Sequence, residues 1–320
     1  MIILEYVPKN FYIVEVIYLL NIKKLETPFH VWDSEIVRVK EMGNITEVFF
    51  SEIHPKGAVI KKIDKEHYVD VRTGELHNFK HIENRSQDLI SVSRSLGQGR
   101  DLLNTNIVNV SYCRWLTLTY ADNMTDPKKL QKDFENFNKR LRDIFGHYEY
   151  ITAAEPQGRG AWHLHVVLIF KDKAPFMENS IVANAWKQGF VTVKKLDDVD
   201  NVGAYLTAYL GDMEFSDFKE QFPFDTPKVI NEVDIIDDTG QVQKKKFVKG
   251  ARLCMYPPHF HIFRWSKGIK KPVVTRQSYK QAKEKVGSAK LTFQKSVILS
   301  DSDNGFETTL SYEYYNSIRK

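Results

Sequence analysis

Between residues 112 and 212 the spacing of apolar positions switches repeatedly between strand rhythm and helix rhythm. Trp115-Leu-Thr-Leu-Thr-Tyr120 alternates with a period of two, which predicts a strand. Leu130, Phe134, Phe137, Leu141 and Phe145 recur at helical spacing. Asp126 suits the N-cap of that helix, Pro127 its first position and Gly146 its stop. Tyr148 to Ala154 reads as a second strand, Gln157-Gly-Arg-Gly160 as a turn and Ala161 to Phe170 as a third strand. A short helix over 179–187 ends at Gly189, and Phe190 to Lys194 forms a fourth strand. Asp197 or Asp198 can cap a last helix running to about Leu210. The order β-α-β-β-α-β-α predicts an α+β fold, a ferredoxin-like (RRM-like) antiparallel sheet flanked by helices.

The flanks are less regular. Residues 1–110 read as β-rich, with a β-prone run from Phe11 to Ile22 and a hairpin over 67–79 around Thr73-Gly74. Ser86 to Asn106 is polar, contains Gly97 and Gly99, and reads as a linker or loop. Beyond 212 we expect an acidic loop or small subdomain, then strand-like composition over 252–265 and a helix over 275–286. The tail fits no single assignment. The expected division is 1–110, 111–212 and 213–320.

Composition removes several classes. With 42% hydrophobic and 27% charged residues, the chain is neither disordered nor fibrous. Its most apolar stretch is too short for a membrane span and contains Glu15. No secretory leader pattern opens the sequence. Two cysteines 141 positions apart, Cys113 and Cys254, make neither a disulfide framework nor a CxxC site, so a reduced, cytoplasmic protein is expected. The net charge is only +5, but it is unevenly spread. Nine acids against two bases occupy 212–238, whereas fifteen bases against the single acid Glu284 occupy 244–295. The basic stretch is interleaved with aromatics, a composition suited to phosphates and stacked bases. Its best candidates for backbone contacts are Arg252, Arg264, Lys267, Lys270 and Lys271.

The chemistry concentrates in the middle. His163-Leu164-His165 lies within the third strand, so both imidazoles share one face. A hairpin across 157–160 brings Glu155 beside them. Two neutral histidines and a carboxylate suit Mg²⁺ or Mn²⁺ with positions left open for phosphate oxygens, and Gln157 could add an oxygen. The second such pair, His259-Phe260-His261, has no carboxylate at comparable spacing and reads as structural. Tyr205 and Tyr209 stand four apart on the last helix, on one face, while Val199, Val202, Leu206 and Leu210 supply its apolar stripe. A tyrosine phenolate is a competent nucleophile at phosphorus. Arg159, Lys194 and Lys195 are candidate phosphate contacts nearby.

Taken together, these motifs resemble the HUH endonucleases, specifically the two-tyrosine, gene A-like rolling-circle replication initiators of phages and plasmids. Leu116-Thr-Leu-Thr-Tyr120 is similar to the first motif strand, Glu155-Pro-Gln-Gly-Arg-Gly-Ala-Trp-His-Leu-His165 to the metal motif, and Asn201-Val-Gly-Ala-Tyr-Leu-Thr-Ala-Tyr-Leu210 to the tyrosine motif. The resemblance implies a nickase and strand transferase acting on single-stranded origin DNA, in a hairpin or duplex origin, within a bacterial host. It implies metal ligation by His163, His165 and Glu155. It implies attack by Tyr205, leaving a 5′-phosphotyrosine and a free 3′-OH, with Tyr209 available for the terminating transfer. Many one-tyrosine relatives carry Lys three residues after the nucleophile, where this chain has Ala208, so the order in which the tyrosines act stays open. No Walker motif of the form GxxxxGK(S/T) occurs, so unwinding is assigned to a separate helicase and the host replication machinery. Three rivals are weighed against this: a relaxase or transposase on the same core, a non-catalytic RRM-like nucleic-acid binder, and a structural Zn²⁺ site. The last needs four closed ligands and finds three.

Overall fold

The computed structural model describes residues 2–3, 21–53, 60–196, 200–207, 210–227, 229–236, 242–301 and 305–319. Strands β1 (Ile2–Ile3), β2 (Asn21–Lys24), β3 (Ile36–Met42), β4 (Ile45–Ser51), β5 (Ile60–Lys62), β6 (His67–Asp70) and β7 (Leu76–Asn78) precede helix α1 (Leu89–Asn106). The middle of the chain runs β8 (Cys113–Thr119), α2 (Pro127–Phe145), β9 (Glu149–Pro156), β10 (Trp162–Ile169), α3 (Asn179–Trp186), β11 (Val191–Lys194) and α4 (Val202–Thr207). There follow β12 (Met213–Glu214), α5 (Phe215–Gln221), β13 (Ile230–Ile236), β14 (Val242–Val248), β15 (Phe263–Trp265), β16 (Val273–Ser278), α6 (Tyr279–Val286), β17 (Lys290–Asp301) and β18 (Phe306–Asn316). The result is a mixed α+β protein with several antiparallel sheets and six α-helices among the described residues. None of these helices is long and apolar enough to cross a membrane.

A five-stranded antiparallel sheet in the order β11-β8-β10-β9-β15 organises the middle. Its strands alternate cleanly. Leu116, Leu118, Leu164 and Val166 point to one face and are buried in the main apolar cluster with Leu130, Phe134, Phe137 and Leu141 of α2. Asp126 accepts a hydrogen bond from the Lys128 N–H at 2.8 Å, and Gly146 stops the helix at φ 77°. Trp186 of α3 stands edge-on to Phe137 and Tyr120 in the same layer.

The polar stretch expected as a loop over 86–106 is instead helical from Leu89 onward. The Asp88 side chain accepts from the Ser91 N–H, and Val92, Leu102 and Leu103 are buried. The glycines that suggest a loop serve close packing. A Cβ on Gly99 would lie 2.4 Å from the Phe263 ring of β15. On α4, a Cβ at Gly203 would lie 2.4 Å from the Arg100 carbonyl oxygen. Helix α1 is thus wedged between the edge of the central sheet and α4. The described part of α4 ends at Thr207, the Asn201 carboxamide accepts from the Ala204 N–H, and the expected caps Asp197 and Asp198 lie outside the described residues.

Two further corrections concern the C-terminal part. Of the strand-like 252–265, only Phe263–Trp265 pairs in a sheet, while Ala251–Met255 forms a 3₁₀ turn. The helix expected from 275 begins at Tyr279, because Thr275 to Ser278 pair with β3 and Ser278 then caps the helix in a capping box with Gln281. The tail over 290–316 is a long β17–β18 hairpin. The hairpin read around Thr73-Gly74 forms as β6–β7, within a three-stranded sheet with β5. Of the β-prone run from Phe11 to Ile22, the first ten residues lie outside the described ones. Acidic β13 pairs with basic β14, joined by a Lys246–Glu232 ion pair at 3.1 Å, in a four-stranded sheet with β1 and β12.

The largest sheet has six strands in the order β16-β3-β4-β18-β17-β2 and draws on both ends of the chain. Val37, Val39, Val48, Phe50 and Tyr315 face α6, which buries Ala282 against them. The other face carries Glu47, Lys40 and Tyr314 beneath α1, which ties in through Lys40 Nζ to Asp101 at 2.6 Å.

Candidate metal centre

The turn after β9 sets the geometry. The Gln157 N–H donates to the Ala161 carbonyl at 2.7 Å, and the Gly160 N–H donates back to the Gln157 carbonyl at 2.8 Å with φ 88°, a backbone conformation that favours glycine. The turn therefore pairs β9 with β10 so that Glu155 stands directly across from His163. His165, two residues on, shares that face. His163 Nε2 lies 2.9 Å from Glu155 Oε2, and His165 Nε2 lies 3.4 Å from the same oxygen. The imidazole centroids are 4.6 Å apart.

Glu155 is 5% exposed, and burial by itself would raise its pKa. The hydrogen bonds with His163 and His165 and the positive charge of Arg252 outweigh burial, so the carboxylate is held well below the usual range. Burial also lowers the His163 pKa, against the pull of Glu155 and with the help of His165, which favours the neutral imidazole that a metal requires. The second oxygen of Glu155 is anchored elsewhere. It accepts from the Gly211 N–H at 3.1 Å and pairs with Arg252 Nη1 at 3.1 Å. Gly211 follows the segment that holds α4, so the carboxylate is pinned to the chain leaving that helix.

The His165 ring is itself held in place. Thr117 Oγ1 lies 3.3 Å from His165 Nδ1. An Nδ1–H donated to threonine leaves the Nε2 lone pair for a cation. Trp115 stacks on His165 with centroids 5.0 Å apart, fixing the ring plane. One donor atom from each of Glu155, His163 and His165 lies within 4.8 Å of the others, so the group could hold a metal ion. The donor set, two nitrogens and one anionic oxygen, fits a divalent cation with further positions open. Both imidazoles are partly exposed, which leaves that side of the group accessible.

The remaining candidates separate by position. Tyr205 falls within α4, whereas Ala208 and Tyr209 lie outside the described residues. Lys194 is exposed and pairs in register with Trp115, which puts it on the histidine face of the sheet. Lys195 follows, also exposed, and Gln157 occupies the turn. The Arg159 guanidinium donates to the carbonyls of Tyr120 at 2.7 Å and Ala121 at 3.3 Å, bracing the turn against the end of β8. Arg252 is only 14% exposed and is engaged by Glu155. Arg264 pairs in register with Thr152, on the face opposite the histidines, and donates to Gln131 of α2. Lys267, Lys270 and Lys271 are exposed after β15. His259 and His261 are exposed, and Phe260 between them stacks on Trp162 at 4.6 Å, so that motif seats an aromatic ring.

Sequence reasoning missed two partners of the centre. One is the role of Arg252 as counter-charge to Glu155. The other is Asp212, whose buried carboxyl accepts from the Gly250 N–H at 2.8 Å and is pushed by burial up to about 6. Both reach the site from segments distant in sequence, where no spacing rule links them to a strand histidine.

No curated protein and no solved structure matches this chain. A family model does match, over the segment that holds β8, the Glu155–His163–His165 group and α4. Residues 113–214 match the replication-associated protein family ORF2/gene II protein, and this central segment belongs to that replication-associated family.

Proposed function

We propose that the chain is a rolling-circle replication initiator that nicks single-stranded origin DNA through a tyrosine of the α4 segment and later rejoins the strands. The observation that carries this is the convergence of Glu155, His163 and His165 within the matched segment, with Glu155 tied to the backbone that leaves α4. The strand order supports an HUH core of ferredoxin type. Numbered along the chain, β8, β9, β10 and β11 lie in the order four-one-three-two, with β15 added beside β9. On this reading residues 111–212 are the nuclease domain, and the flanking segments bind DNA around it.

The reaction is a transesterification. The Tyr205 oxygen attacks the scissile phosphorus, the bond from phosphorus to the 3′-oxygen breaks, and the phenolic proton ends on the departing 3′-OH. The 5′ end stays on the protein as a phosphotyrosine, and reversal by a second strand end reseals DNA. When bound by Glu155, His163 and His165, Mg²⁺ or Mn²⁺ supplies Lewis acidity toward the phosphate. Arg252 and the Gly211 N–H hold Glu155 with one oxygen facing the histidines. Thr117 and Trp115 orient His165. Lys194 and Lys195 extend the face toward the DNA backbone.

The test mixes the full chain with labelled single-stranded DNA spanning the origin of its own element, with Mn²⁺ or with EDTA. The expected product is a protein–DNA adduct that survives boiling in detergent, needs metal and disappears in Tyr205→Phe. Loss only in Tyr209→Phe reassigns the nucleophile. Tight DNA binding with no adduct on either strand overturns the proposal in favour of a binding module.

A further inference from the structure

The face of the six-stranded sheet turned away from α6 is only partly covered by α1. Beyond the helix, the strands leave a concave groove of about 550 Å³, whose lining includes Arg38, Arg276, Phe49, Ser51, Ile53 and Phe306. The register creates it. Arg276 of β16 stands directly across from Arg38 of β3, Arg38 across from Phe49 of β4, and Phe49 across from Tyr312 of β18. Two guanidiniums therefore sit side by side on neighbouring strands, and the described residues lining the groove include no carboxylate. Like charges directly opposite on a sheet repel, so this pairing is unfavourable until an anion answers it.

The local bonding leaves capacity for one. Arg38 lies over the Phe49 ring at 4.4 Å and gives one nitrogen to Glu47 at 3.0 Å, while its buried Nε has no hydrogen-bond partner. Glu47 is also engaged by Lys40 at 3.5 Å and by the Tyr314 hydroxyl, so Arg38 has only a share of it. Arg276 is exposed, and among the described residues it forms no ion pair. Beside the arginines the wall is apolar, with Ile36 and Ile53 both exposed.

We infer that this groove is a second DNA site, which takes one nucleotide of single-stranded DNA. Its phosphate lies between Arg38 and Arg276, and its base lies against the wall of Phe49, Ile53 and Phe306. An unpaired base offers an apolar face to such a wall, whereas a duplex hides it. The inference rests on the reading of the chain as a single-strand DNA enzyme, but the groove lies on a different sheet from the Glu155–His163–His165 group.

The test therefore avoids nicking altogether. Binding of a fluorescent oligothymidylate to the full chain is followed by anisotropy in EDTA across a salt series. Arg276→Glu is expected to weaken binding about tenfold and to flatten the salt dependence by roughly one counterion. Arg276→Lys should fall between wild type and Arg276→Glu. Lys280→Glu, an equal charge change on α6 over the opposite face, should stay within about twofold of wild type. Equal losses in Lys280→Glu, or wild-type binding in Arg276→Glu, overturn the groove. So does an equal loss of affinity for duplex of the same length. Failure of the wild type to bind oligothymidylate also overturns it, while the adduct assay on origin DNA still reports separately on the nuclease.

Discussion

Each of the two large sheets buries a glutamate, and the two are answered by different chemistry. Glu155 on the central sheet is 5% exposed and faces two imidazoles, with Arg252 behind it. Glu47 on the six-stranded sheet is 1% exposed and faces Arg38, Lys40 and the Tyr314 hydroxyl. Both carboxylates are held ionised against the cost of burial. The difference lies in what the partners can exchange. An imidazole can turn its lone pair to a cation, whereas guanidinium and ammonium groups have none to offer. Burial and a lowered pKa are thus common to both sites, and the partner type marks one as a ligand set and the other as a structural ion network.

Substitutions separate the two most sharply. Glu47→Gln should cost about 3–5 kcal/mol in urea unfolding, with or without metal, because two cations lose their buried counter-charge. A loss confined to metal-containing buffer would contradict the structural role. Saturating Mn²⁺ should raise the stability of the wild type by about 3 kcal/mol at roughly a hundredfold excess over its dissociation constant. That gain should vanish in His163→Ala and persist in Lys40→Met. The smallest effect concerns Asp212, whose pKa is about 6 when folded against an ordinary value of 3.8. The folded state then holds the extra proton, so stability falls as pH rises through this interval and the full cost is present above it. Asp212→Asn, measured in EDTA, should gain on wild type by on the order of 2–3 kcal/mol between about pH 4 and pH 7. A gain that does not change with pH would point to packing instead.

Much of the central sheet is legible in the sequence because its signals are local. Asp126, Pro127 and Gly146 mark the ends of α2, and the alternation in Trp115 to Tyr120 marks β8, within a residue or two of the observed bounds. The convergence of Glu155 with the histidines follows from a short turn, which converts spacing along the chain into register across strands. Helix α1 is obscured because Gly97 and Gly99 look like loop residues until the Phe263 ring that presses on Gly99 is known. The six-stranded sheet leaves no local trace at all. Thr46 pairs with Tyr315 and Glu47 with Tyr314, and nothing in either segment announces the other. The roles of Arg252 and Asp212 are hidden for the same reason.

That distant pairing dictates an order of assembly. Four core strands of the central sheet are complete once residue 194 has left the ribosome, and they close through connections within one stretch of chain. The hairpin over 36–51 emerges first, but β18 reaches it only after residue 316 has been made. Until then Val37, Val39 and Phe50 have neither the last strand nor α6 to cover them, and the edge of β4 stays open to other chains. The early-made segment is therefore the late-folding one, and aggregation during synthesis should begin at that edge rather than at the metal centre.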